Sequence, residues 1–239
     1  MRSVTNGDLL GLVLSYGYAG GVLVGTELLG RRLQWAQSSS RKLIHIAAGM
    51  WVWGLLLCFD HWYLGVVPLA TFIGLNYLFY RRRTFAAMDA EQSTPGTVYF
   101  AFSITVLLVL LWRTGGAPDR VPIAVAATMA MTWGDAMASL VGERRGRHRY
   151  TVLGHTRSLE GSVAMAVFSF AAMLPALVWL PGSPLSPGSS PVPVATALLL
   201  ALAGTVVATL AEAVSPAGTD NLSVPLFTGL TLLLLHPTP

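Results

Sequence analysis

Apolar runs long enough to cross a bilayer recur along nearly the whole chain, and no other feature restricts its fold as strongly. A membrane-spanning helix needs about 20 mostly apolar residues. In hydrocarbon every backbone polar group has to be paired inside the segment, so single runs of this length predict helices. The hydropathy pattern gives eight of them, at roughly 9 to 29, 43 to 59, 61 to 80, 97 to 112, 121 to 141, 160 to 180, 193 to 213 and 222 to 236. The expected fold class is therefore all-α: a polytopic integral membrane helix bundle of about eight transmembrane helices, with seven as the lower count, in a single transmembrane domain over 1–239. Charged residues make up 11% of the chain, against about 25% in soluble domains, which excludes water as the main solvent.

The connectors are marked by Gln37-Ser38-Ser39-Ser40, by Arg81-Arg82-Arg83 and the polar stretch up to Gly96, by Gly115-Gly116-Ala117-Pro118, and by the Pro/Ser/Gly-rich run from Pro181 to Pro193. None is long enough to hold a second domain. Lysines and arginines in short loops favour the cytoplasmic side. With the N-terminus outside, eight alternating spans leave 12 of the 15 basic residues in cytoplasmic segments and only Arg2, Arg113 and Arg120 outside. Both termini are then expected on the outer side, opposite the charged segments. Topology and attraction to anionic membrane lipids account for the net charge of +4, so nucleic acid is not expected as a partner. The single Cys58 rules out a disulfide framework and structural zinc. The N-terminal apolar run lacks an Ala-x-Ala-like cleavage site and is read as an uncleaved span.

Polar residues inside the spans carry the functional information, because a carboxylate in hydrocarbon costs a few kcal/mol on insertion scales. Thr128, Thr132, Asp135 and Ser139 recur at helical spacing on one face of the fifth span, continued by Gly142. Thr205, Thr209 and Glu212 repeat the pattern in the seventh, and Lys42, His45 and Gly49 in the second. Asp135 falls about 10 Å inside the cytoplasmic end of its span. His45, Glu160, Glu212 and the pair Asp220-Asn221 are at that level or in adjacent loops, beside the basic segment from Glu143 to Arg157. Acids able to hold a hard divalent cation thus gather with guanidinium groups suited to phosphate oxygens. The reading is charged phosphate chemistry at the cytoplasmic membrane surface. His61 and His236 are read as interfacial polar residues, and the Gly21-x-x-x-Gly25 pair as a helix-packing motif.

Four segments in register resemble the polyprenol kinase family, which includes dolichol, phytol and farnesol kinases and is related to the phosphatidate cytidylyltransferases. They are Arg41-Lys42-Leu43-Ile44-His45-Ile46-Ala47-Ala48-Gly49, Gly134-Asp135-Ala136-Met137-Ala138-Ser139-Leu140-Val141-Gly142, Arg157-Ser158-Leu159-Glu160-Gly161-Ser162, and Glu212 with Asp220-Asn221-Leu222-Ser223-Val224-Pro225. The resemblance implies a membrane-embedded kinase that uses a nucleoside triphosphate, typically CTP, to phosphorylate a lipid alcohol. The short chain is more similar to the phytol kinase branch than to the longer dolichol kinases. On this reading Asp135, His45 and Glu160 are catalytic, and Mg²⁺ is held by Asp135 with Glu160, Glu212 or Asp220. Lys42, Arg149, Arg157, Ser158, Gly161 and Asn221 contact the nucleotide. Arg157 stands where the family pattern has lysine; it keeps a phosphate-binding charge but cannot carry a proton as lysine can. Two rivals stay open: a CTP-dependent cytidylyltransferase acting on a lipid phosphate, and a transporter whose polar stripes line a pathway.

Overall fold

The computed structural model describes residues 3–82, 95–114, 118–216 and 218–237. Arg2, Arg83 with the polar stretch after it as far as residue 94, and Gly115 to Ala117 lie outside the described residues. Every predicted apolar run is helical. The order is α1 (Asn6–Leu33), α2 (Gln37–Cys58), α3 (Trp62–Arg82), α4 (Gly96–Leu111), α5 (Val121–Met129), a π-helical turn (Ala130–Asp135), α6 (Ala136–Arg145), α7 (Leu159–Trp179), α8 (Val194–Val214) and α9 (Asp220–Leu235). Six are long and apolar enough to cross a membrane, counting α5 through α6 as one continuous helix. The other two, α4 and α9, have 16 residues each. That is about 24 Å of helix, short of a hydrocarbon core about 30 Å thick.

Local chemistry sets the helix ends. Thr5 and Asp8 form a capping box at α1, with Thr5 Oγ1 accepting from the Asp8 N–H at 3.1 Å and Asp8 Oδ2 accepting from the Thr5 N–H at 3.0 Å. Asp8 is fully buried and also fixes the α2–α3 turn. Its Oδ1 accepts from the backbone N–H groups of Asp60 and His61 at 3.1 and 3.0 Å, and its Oδ2 lies 2.7 Å from His61 Nδ1. His61, read from sequence as an interfacial polar residue, is a buried clasp at this turn. Likewise Gly21 and Gly25 have open space where a Cβ would stand, so no described helix packs on that motif.

One element has no counterpart in the hydropathy reading: an antiparallel hairpin, β1 (Arg149–Val152) with β2 (His155–Ser158), pairing Arg149 with Ser158 and Val152 with His155. Leu153 and Gly154 turn it with φ of 49° and 81°, the two left-handed positions of a type I′ turn.

The fifth span is the centre of the bundle. Its apolar window is 78% buried, against 17% for α1 and for α3. Ala124, Ala126 and Ala127 are wholly buried, and such small residues let helices approach closely in a membrane, where packing rather than water drives association. Two glycines bring neighbours onto the π-helical turn. A methyl at Gly49 of α2 would overlap Thr132, and one at Gly134 would overlap Ser169 of α7. Ser169 Oγ also donates to the Ala130 carbonyl at 3.2 Å. The turn that ends in Asp135 is thus held from both sides.

Candidate active site

Lys42 on α2 reaches across to the π-helical turn, its Nζ donating to Asp135 Oδ2 at 2.8 Å, with both side chains 8% exposed. His45, one turn along α2, has Nε2 3.5 Å from the same carboxylate oxygen and 3.2 Å from the Met131 carbonyl. Phe100 of α4 lies against its ring, centroids 4.7 Å apart. A π turn adds a residue to the helical repeat and is frequent at functional sites. Here it sets Asp135 opposite the Lys42 and His45 side chains.

A second charged group lies beside the first. Arg157 at the end of the hairpin has Nε 3.1 Å from Glu212 Oε1 and a terminal nitrogen 3.7 Å from Asp220 Oδ2. The same guanidinium donates to the Ser215 carbonyl at 3.1 Å. The hairpin therefore ties itself to the α8–α9 turn through one arginine. Asn221 donates from Nδ2 to Asp220 Oδ1 at 3.2 Å, while its Oδ1 is buried without a hydrogen-bond partner.

Two cavities meet at this constellation. A polar one of about 270 Å³ is lined by Arg149, Arg157, Ser158, Gly161, Glu212 and Asp220, among others. An apolar one of about 140 Å³ runs between α1, α2, α3 and α4, from His45 and Phe100 to Tyr18 and Trp51. Arg41, Lys42 and Asp135 line both. Arg41 and Arg149 have no carboxylate partner among the described ion pairs.

The structure thus brings together Asp135, Lys42, His45, Arg149, Arg157, Glu212, Asp220 and Asn221. Ser158 and Gly161 also line the polar cavity, but the Ser158 hydroxyl accepts from the Gly161 N–H at 3.1 Å as the N-cap of α7. Glu160 stands apart from this group: it lines neither cavity and pairs with His148, Oε1 to Nδ1 at 2.8 Å. Arg41, a cytoplasmic charge and the first residue of the first family segment, was given no role in the site from sequence. Its signal was present, since Arg41, His45 and Ala48 share one helical face. Among the described residues no three acidic, histidine or cysteine side chains are gathered closely enough to hold a metal alone. Asp135, Glu212 and Asp220 nevertheless offer hard oxygen donors around one cavity. Mg²⁺ usually takes only one or two carboxylates together with substrate phosphates, so this donor set fits an ion that arrives with a triphosphate.

Fold and site together define a multi-pass membrane protein in which a charged cavity opens onto an apolar one, the arrangement of an enzyme that modifies a lipid. A phytol kinase of Synechocystis is 33% identical over 220 residues, covering 89% of this chain and 86% of that protein. Probable phytol kinase 2 of rice is 29% identical over 70% of this chain and 57% of its own length. The farnesol kinase of Arabidopsis thaliana is 28% identical over 60% of this chain and 49% of its own. No family profile matches the chain, and no solved structure does. The chain belongs to the polyprenol kinase family, the lipid-alcohol kinases that include the phytol and farnesol kinases.

Proposed function

We propose that the protein transfers the γ-phosphoryl group of CTP to the hydroxyl of an isoprenoid alcohol of the phytol class, at the cytoplasmic face of its membrane. The observation that carries this reading is that Arg41, Lys42 and Asp135 line both cavities. A triphosphate in the polar cavity and an alcohol in the apolar one would then meet at these residues. The cytoplasmic assignment rests on the basic residues at this end of the bundle, Arg31, Arg32, Arg41, Arg81, Arg82 and the arginines around the hairpin.

Phosphoryl transfer depends mainly on positioning and charge neutralisation. Arg41 and Arg149, which form no ion pair with a carboxylate among the described residues, receive phosphate oxygens, and Arg157 closes the cavity from the hairpin. Lys42 is held at the junction by Asp135 and meets the γ-phosphate there. His45 Nε2 faces two acceptors, Met131 O and Asp135, which fixes its hydrogen on Nε2 and leaves Nδ1 to accept the alcohol proton. The alcohol oxygen bonds to the γ-phosphorus while the bond from that phosphorus to the bridging oxygen of CDP breaks. The proton passes to His45 Nδ1, and Asp135 stabilises the imidazolium. Asp135 and Asp220 would hold Mg²⁺, whose charge would offset that of the phosphate oxygens. The tail stays among apolar side chains, and the product phosphate stays at the aqueous rim.

The test uses purified protein in nanodiscs with Mg²⁺, α- and γ-labelled CTP in parallel, ATP and UTP as competing donors, and phytol, geranylgeraniol, farnesol and phosphatidate as acceptors. Transfer of the γ label to an alcohol with release of CDP supports the proposal. Transfer of the α label to phosphatidate with release of pyrophosphate would replace it with the cytidylyltransferase reading.

A further inference from the structure

We infer that the apolar cavity grips only the hydroxyl end of the alcohol, with Tyr18 and Trp51 as its floor, so that the enzyme does not measure the tail beyond about two isoprene units. This rests on the reading that the apolar cavity holds the alcohol.

The floor is rigid. The Tyr18 and Trp51 rings stack with centroids 4.4 Å apart and an interplanar angle of 18°. Tyr18 Oη donates to the Ala47 carbonyl at 2.9 Å, and Trp51 Nε1 donates to Ser15 Oγ at 3.0 Å. Ser15 is fixed in turn by donating to the Gly11 carbonyl at 2.7 Å. Both rings are therefore locked by a hydrogen bond as well as by each other. Ser15 and Pro68 complete this end of the cavity. A methyl at Gly11 of α1 would overlap Phe59 just after α2, and one at Gly65 of α3 would overlap Trp112 just after α4, so the ends of these helices beyond the rings are tightly packed.

Depth and volume agree. Six residues of α2 separate His45 from Trp51, about 9 Å of helix. The cavity of about 140 Å³ is under half of the roughly 300 Å³ at which pockets begin to enclose a whole drug-sized ligand. A twenty-carbon tail cannot fit above this floor, and its remainder stays in the bilayer. Leaving it there costs nothing, because lipid hydrocarbon is as apolar as the protein interior. Each added isoprene unit is in hydrocarbon both before and after binding, so it changes neither affinity nor the position of the hydroxyl.

The test is a chain-length series of prenol, geraniol, farnesol and geranylgeraniol in nanodiscs, with kcat/KM referred to the mole fraction of alcohol in the bilayer. The expected result is a rise from prenol to geraniol, then constancy within about threefold through geranylgeraniol. Trp51→Ala lowers the floor and moves the onset of constancy to farnesol. Ala48→Leu fills the wall between His45 and Trp51 and brings geraniol down toward prenol. Each variant is checked for a cooperative melt before its kinetics are read. A change of about tenfold or more between geraniol and geranylgeraniol in the parent protein, with transfer intact, overturns this inference alone. So does an onset that stays at geraniol in whichever of the two variants folds. Transfer to none of the four alcohols would remove the kinase reading and this inference with it.

Discussion

Replacing Lys42 by Met removes the cation 2.8 Å from Asp135 and leaves the carboxylate in a site where both side chains are 8% exposed. Water reaches it only through the cavities it lines. Breaking a buried ion pair by deleting one partner costs about 3–5 kcal/mol, since the remaining charge stays desolvated. Asp135 keeps His45 at 3.5 Å, which puts Lys42→Met at the low end, about 3 kcal/mol. Asp135→Asn strands the ammonium instead and costs a similar amount. At roughly 2–4 °C per kcal/mol for a chain of this size, each single substitution lowers Tm by about 6–12 °C. The double variant has no stranded charge, so it should be more stable than the sum of the singles by at least about 2 kcal/mol. Thermal melts of the four proteins in one detergent measure this without reference to catalysis. Additivity within about 0.5 kcal/mol would show that the two residues do not share one buried charge pair, and the junction argument would fail with it.

Three further outcomes follow from the same geometry. Gly49→Ala pushes a methyl into Thr132; overpacking of this kind costs about 1–3 kcal/mol, displaces the π-helical turn, and should lower kcat more than it raises KM for CTP, with Thr132→Ala in the same chain recovering part of the loss. Glu160→Gln, outside both cavities, should leave kcat/KM within about threefold, whereas Asp220→Asn should cost about a hundredfold or more, the scale of lost electrostatic stabilisation at a charged site; comparable losses in the two would contradict the placement. In a Cys58→Ser background, Leu153→Cys at the exposed hairpin tip should react with a membrane-impermeant maleimide only when the cytoplasmic face is accessible, and labelling from the opposite face alone would invert the topology.

The bundle was legible because each span is a long local signal. Eight apolar runs could be read one at a time, and all eight are helices. The Lys42 and His45 spacing and the buried Asp135 were legible for the same reason, as charges that hydrocarbon does not tolerate without partners. Four things were not. The hairpin has strands of four residues with no apolar alternation, set among arginines that read as a topology signal. The π-helical turn interrupts the regular repeat assumed from Thr128 to Ser139: Thr132 packs on Gly49, although Asp135, Ser139 and Gly142 still line one cavity. Glu160 fell at the right depth for the site, but its orientation follows from its contact with His148, which sequence spacing does not encode. The apolar cavity was invisible for a related reason, since it depends on which faces of four different helices meet.

The central claim is that a lipid hydroxyl meets the γ-phosphate at the Lys42–Asp135 junction. Its most direct test is single-turnover transfer from γ-labelled CTP to geranylgeraniol in nanodiscs, comparing the parent protein with Asp135→Ala at saturating CTP. The prediction is label on the alcohol in the parent, and a loss of about a thousandfold in Asp135→Ala, whose polar cavity still binds CTP through Arg41, Arg149 and Arg157. Transfer by Asp135→Ala at near-parental rate, or transfer of label to the alcohol only from α-labelled CTP, would contradict it.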